Sequence, residues 1–174
     1  MSEATLVRLL VFRVGTLVCA AEVDQVREIL PRLPTTRIPG APPVVAGLVN
    51  VRGRLVTVVD GWRALKQEAP QTASGEGSTL VLSLSPAQAP ADEHDGGGGS
   101  GGGGTDKLIG FTVDEVIDML SVDGTALDDR SAGGLAGIDP TLVRAVGRRQ
   151  EGDVFVVLDV AALLGPILHE GREQ

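Results

Sequence analysis

The chain has 174 residues, 43% of them hydrophobic, and a formal net charge of −8. That apolar content suffices for the core of one domain, or of two small subdomains sharing a core, and sets the chain apart from disordered sequence. The acidic balance, the scattered arginines and the scarcity of aromatics argue against nucleic-acid binding, and no window reaches the roughly 18 apolar residues needed for direct membrane insertion.

Residues 6–14, LVRLLVFRV, read as a strand, and Gly15-Thr16 as a hairpin turn into a second strand over 17–21. The only cysteine, Cys19, falls in that strand, which rules out an intrachain disulfide and marks the thiol as a small buried hydrophobe. The start MSEATLVRLL lacks the basic-then-apolar pattern of a secretory leader, and a cytoplasmic location is expected. A proline-stiffened approach, Pro39, Pro42 and Pro43, then leads into an apolar run over 44–51 that is interrupted by Gly47. Proline donates no backbone hydrogen bond, so these residues belong outside the strands. Arg52-Gly53-Arg54 has the make-up of a tight turn into a β-branched strand over 55–59, which ends at Asp60. Such a turn places Arg52 at the end of a rigid frame. Further strands are expected over 79–84 and 107–113.

Between those two strands lies SPAQAPADEHD followed by GGGGSGGGG at 96–104. The composition predicts a disordered loop over 85–106, whose glycine run resembles an engineered flexible linker and equally suits a natural low-complexity insertion. Residues 168–174 read as a tail.

Two segments repeat. Val23-Asp24, Val26 and Leu30 match Val113-Asp114, Val116 and Leu120, and Val58-Val59-Asp60 with Leu65 matches Val157-Leu158-Asp159 with Leu164. The recurrence predicts two similar small β units packed about a pseudo-twofold axis, interleaved in sequence, with roughly 15–84 and 107–160 forming the two barrels inside one domain of 5–167. Val-rich, Gly-rich, aromatic-poor sequence supports an all-β class.

The residues offer no catalytic or metal-binding constellation. His94 and His169 fall in the loop and the tail, and no H-x-x-x-H, C-x-x-C or G-x-S-x-G is present. The glycine run lacks the G-K-[ST] ending of a phosphate loop. Asp24, Asp60, Asp114 and Asp159 occupy repeat-related positions, which suggests turn or capping roles. Neither enzymatic activity nor a cofactor is expected.

The order of proline, apolar run, Gly47, Asn50, Arg52-Gly53, strand and Asp60 resembles the core of the CheW-like family, the adaptor domains of bacterial chemotaxis arrays. The resemblance runs from about Leu6 to Leu164. It implies two five-stranded, SH3-like β-barrels related by pseudo-twofold symmetry, and a non-catalytic signalling adaptor. The implied partners are the regulatory domain of a chemotaxis-type histidine kinase and the cytoplasmic tip of a methyl-accepting chemoreceptor. It also places partner-binding residues at Val26, Glu28, Gly47, Asn50, Arg52 and Gly53. In that reading Gly47 lets a helix backbone approach, and the Arg52 fork pairs with a receptor carboxylate or carbonyl. Each residue also has a purely structural reading: Val26 as core, Glu28 as solvated surface, Gly47 as a bulge, Arg52 bracing its own turn through Asn50 or backbone carbonyls. Thr57 departs from the family's usual proline, Ala145 stands where glycine is common, and Trp62 reads either as a core plug or an exposed anchor. A paralogous scaffold in a pilus-motility or biofilm pathway would read the same. A small-molecule-binding β-barrel is the alternative of another class, and it predicts a polar-lined pocket inside one barrel.

Overall fold

The computed structural model describes residues 5–68, 76–84, 107–129 and 137–170. The expected loop over 85–106 therefore lies outside the described residues. Strands β1 (Leu6–Val14), β2 (Leu17–Glu22), β3 (Val26–Pro31), β4 (Val45–Val51) and β5 (Arg54–Val59) precede the short helix α1 (Gly61–Ala64). Strands β6 (Ser78–Leu84), β7 (Lys107–Val113), β8 (Glu115–Asp123), β9 (Asp128–Asp129), β10 (Val143–Arg148) and β11 (Val154–Leu158) follow, and α2 (Val160–Glu170) ends the described chain.

The strands form two sheets, ordered β8-β1-β2-β11-β10-β9 and β3-β6-β7-β5-β4. The second order is the first with each strand replaced by its repeat-mate, if the two-residue β9 is set aside. The correspondence extends to register. β2 pairs parallel with β11 at Cys19 and Val156, and β7 pairs parallel with β5 at the equivalent Ile109 and Thr57. The β1–β8 register shifts between Phe12–Val116 and Val11–Asp118, and the β6–β3 register shifts between the equivalent Leu82–Val26 and Val81–Glu28. The bulge between Val143 and Ala145 is matched by that between Val45 and Gly47. A repeat legible in two short motifs thus governs every major strand pairing.

The two sheets interleave along the chain. β2 joins the sheet built mainly from the C-terminal half, whereas β7 is central to the other. The parallel partners of β5 and β11 must come from a distant part of the chain, because strands joined by short turns pair antiparallel. In addition, backbone pairing among the described residues closes neither sheet, since β8 and β9, like β3 and β4, each have a single partner strand.

The main core lies between the sheets. Leu10, Phe12 and Val14 of β1 meet Leu80, Leu82 and Leu84 of β6, with Ile109, Phe111, Val156, Leu158 and Leu164. Phe12 and Phe111, one from each sheet, meet edge to face at 6.3 Å between ring centroids. The alternate residues Leu9 and Val11 bury on the opposite face of the six-stranded sheet with Ala20, Phe155 and Val157. Burial on both faces explains why β1 reads as a nearly unbroken apolar run. In that second cluster Phe155 takes the space that Gly147 leaves open; a Cβ there would lie 2.3 Å from the ring. The repeat-mates of this pair are Val56 and Val49, so the two sheets place different side-chain volumes at equivalent positions.

Candidate functional site

The β4–β5 hairpin turns on Arg52 and Gly53, with Val51 and Arg54 paired across it. Both turn residues have positive φ, 52° and 86°, as a two-residue type I′ loop requires. Arg52 is thus held in a left-handed conformation that costs a non-glycine residue about 1 kcal/mol or more. The Asn50 Oδ1 accepts a hydrogen bond from the Gly53 N–H at 2.8 Å and pins the turn. From this frame Arg52 Nη2 reaches Glu28 Oε1 on β3 at 2.6 Å. The Arg52 side chain is 80% exposed and that of Glu28 25%. An ion pair so exposed contributes at most about 1 kcal/mol to stability. Its larger effect is to fix the direction of a guanidinium whose remaining donors still face solvent.

Val26 and Glu28 flank the β3 bulge. Val26 is half-buried, pairs with Leu82 and packs against the main core, while Glu28 turns toward the turn of the β4–β5 hairpin. Gly47 has the geometry of its structural reading as a bulge. It is buried at the β4 bulge with φ 150°, and a Cβ there would lie 2.4 Å from the carbonyl oxygen of Thr36. Thr36 and Leu48 hold this approach through two backbone hydrogen bonds of 2.8 Å. The space on the Cβ side of Gly47 is therefore filled by the chain itself. Five of the six predicted residues converge on the β3 edge and the β4–β5 turn, whereas Gly47 lies at the β4 bulge.

The aspartates behave as turn and capping residues. Asp60 accepts from the N–H groups of Trp62 and Arg63, Asp159 from that of Ala162, and Asp114 from that of Gly15. Asp24 is exposed in the short turn before β3. Trp62 is half-buried against the main core, with the Arg32 guanidinium 4.6 Å from its ring centroid, which supports the plug. Thr57, where the family favours proline, sits in an interior strand, paired with Leu48 on one side and Ile109 on the other. Cys19 is buried, and desolvation pushes its thiol up to about 12. A cleft of about 210 Å³ between α1 and α2 is lined by Ala64, Leu65, Leu163 and Pro166 among others. Among the described residues no His, Cys, Asp and Glu are grouped so as to hold a metal ion. No described helix is long and apolar enough to cross a membrane.

The family model of the CheW-like domain matches residues 8–167. The chain belongs to the CheW-like family. Its members are adaptors and scaffolds of chemotaxis signal transduction, and the match covers both sheets and most of α2. The fold of this CheW-like chain is similar to that of the scaffolding protein TtCheW from Thermoanaerobacter tengcongensis. The TM-score is 0.72 at 15% identity, over 92% of this chain and 93% of that one. No curated protein sequence matches the chain.

Neither the motifs nor the repeat pointed to two exposed apolar residues beside the site, Ile29 on β3 and Leu55 on β5, which are 45% and 72% exposed. Alternation predicts that they share a face with their neighbours two positions away, but not that the face is left uncovered.

Proposed function

We propose that this CheW-like chain is a non-catalytic cytoplasmic adaptor that couples chemoreceptor tips to a chemotaxis-type histidine kinase. One observation carries the reading: a guanidinium fixed by the Asn50–Gly53 turn and by Glu28 stands exposed at the edge of the five-stranded sheet, in a chain of this family. A positioned fork of this kind selects register at a modest, reversible interface. The same ion pair supports a curled, SH3-like arrangement of the five-stranded sheet, because it joins β3 to the far hairpin.

Calorimetric titration with the kinase regulatory domain and with a receptor-tip peptide tests the proposal. One-to-one binding to both is expected, and Arg52→Asp should lose the receptor while retaining the kinase and the fold. Absence of binding to either partner by the folded chain would overturn it.

A further inference from the structure

The repeat presents almost the same backbone twice, so something other than shape must tell a partner which sheet to dock on. Charge distinguishes them. In the five strands of the β3-β6-β7-β5-β4 sheet the only carboxylate is Glu28, and it is paired with Arg52. The six-stranded sheet carries Glu22, Glu115, Asp118, Asp123, Asp128 and Asp129 on its strands against Arg8, Arg13, Arg144 and Arg148, of which Arg13 pairs with Glu115 and Arg144 with Glu22. The contrast sharpens at the hairpin ends. Around the exposed Leu55 stand Arg52 and Arg54 of its own hairpin, and the parallel register of β5 and β7, which pairs Thr57 with Ile109, carries Lys107 to the same end of the sheet. Arg54 and Lys107 are exposed and make no ion pair with the described residues. The repeat-mate of Arg54 is Asp153, and the hairpin that contains it mixes Arg149 with Glu151 and Asp153.

We infer that the Arg52–Arg54–Lys107 end of the five-stranded sheet is the docking face for a carboxylate-bearing protein surface, and that the acidic six-stranded sheet turns the same partner away. The inference rests on the adaptor reading and adds to it the charge of the partner and the choice of sheet. An acidic surface gains attraction from three cations grouped around an apolar contact and meets repulsion at the pseudo-equivalent place, which sets orientation and association rate more than final affinity. The effect is screened by salt over about 8–10 Å.

The test uses the full, isotope-labelled chain, with the carboxylates of residues 85–106 in place, and acetylated decaglutamate as the probe. Amide shifts are expected at Gly53, Arg54, Leu55 and Lys107, saturable at low salt and weakened at about 150 mM. Arg54→Glu with Lys107→Glu should weaken binding about tenfold, as two exposed charges permit. Arg54→Gln with Lys107→Gln should weaken it less, and Arg149→Glu should leave it unchanged. Shifts spread evenly over both sheets, or an equal loss with Arg149→Glu, would overturn the inference. If the decaglutamate footprint is found but neither the receptor tip nor the kinase domain binds, the adaptor reading fails and the acidic-partner face stands.

Discussion

Glu28 and Arg52 belong to opposite sides of one five-stranded sheet, yet their side chains meet at 2.6 Å. On a flat sheet β3 lies about 14 Å from β5 and about 19 Å from β4. The sheet is therefore curled, and this pair bridges edges that backbone hydrogen bonds leave open.

Because the pair is exposed, its removal should affect binding far more than stability. Arg52→Asn is the most informative change, since asparagine accepts the left-handed turn conformation at lower cost than arginine. Chemical denaturation should place its stability within about 1 kcal/mol of the wild type. Titration with the receptor tip should show the loss of binding proposed above for Arg52→Asp. A large drop in stability would instead assign Arg52 to the fold.

Gly47→Ala should act through the fold. The added Cβ meets the Thr36 carbonyl at 2.4 Å, and the φ of 150° disfavours any side chain. Urea unfolding should report a loss of roughly 2–4 kcal/mol. A variant of wild-type stability would show that residues 34–36 can move aside.

Gly147→Ala is expected to cost a similar amount, roughly 2–4 kcal/mol, by driving a methyl group into the buried ring of Phe155. The paired change Gly147→Val with Phe155→Val, which copies Val49 and Val56 of the other sheet, should recover part of that loss. Thermal denaturation of the single and double variants measures the coupling.

Asp60→Ala removes the acceptor for the N–H groups of Trp62 and Arg63, and should cost about 1 kcal/mol. The single tryptophan reports it, because loosening of α1 exposes Trp62 and shifts its fluorescence to the red. An unchanged spectrum and midpoint would mean that solvent replaces the cap without penalty.

Cys19 gives a pH signature. Burial pushes its thiol up to about 12 in the folded chain, against 9.0 for the unperturbed group. A raised folded value means the contribution is fully present below about pH 9 and is lost as the pH climbs toward 12, on the order of 4 kcal/mol at the top of that window. The urea midpoint of the wild type should fall more steeply across this range than that of Cys19→Ala. Parallel profiles would show that other groups dominate alkaline unfolding.

The extents of β1, β6 and β7, the β4–β5 turn and the repeat were legible in residue order, whereas the grouping of Glu28 with Asn50, Arg52 and Gly53 came from the family resemblance. The former rest on local physics: short apolar, β-branched runs, the positive φ available to glycine, and the hydrogen bond that an asparagine makes to its own turn. Pairings between distant strands were not legible in the same way. β2 with β11 and β5 with β7 are parallel partners from opposite halves of the chain, and no local pattern names a parallel partner. The same distance hid the role of Gly47. Its neighbour in space is Thr36, brought there by a bridge to Leu48, so only the folded chain shows that its vacant side is already occupied. Residue order alone determined which elements form and where the β4–β5 hairpin lies. Tertiary structure decided which sheet each strand joins, what fills the space beside Gly47, and that Leu55 with its surrounding cations is left facing solvent, because burial and contact are properties of the whole packed chain.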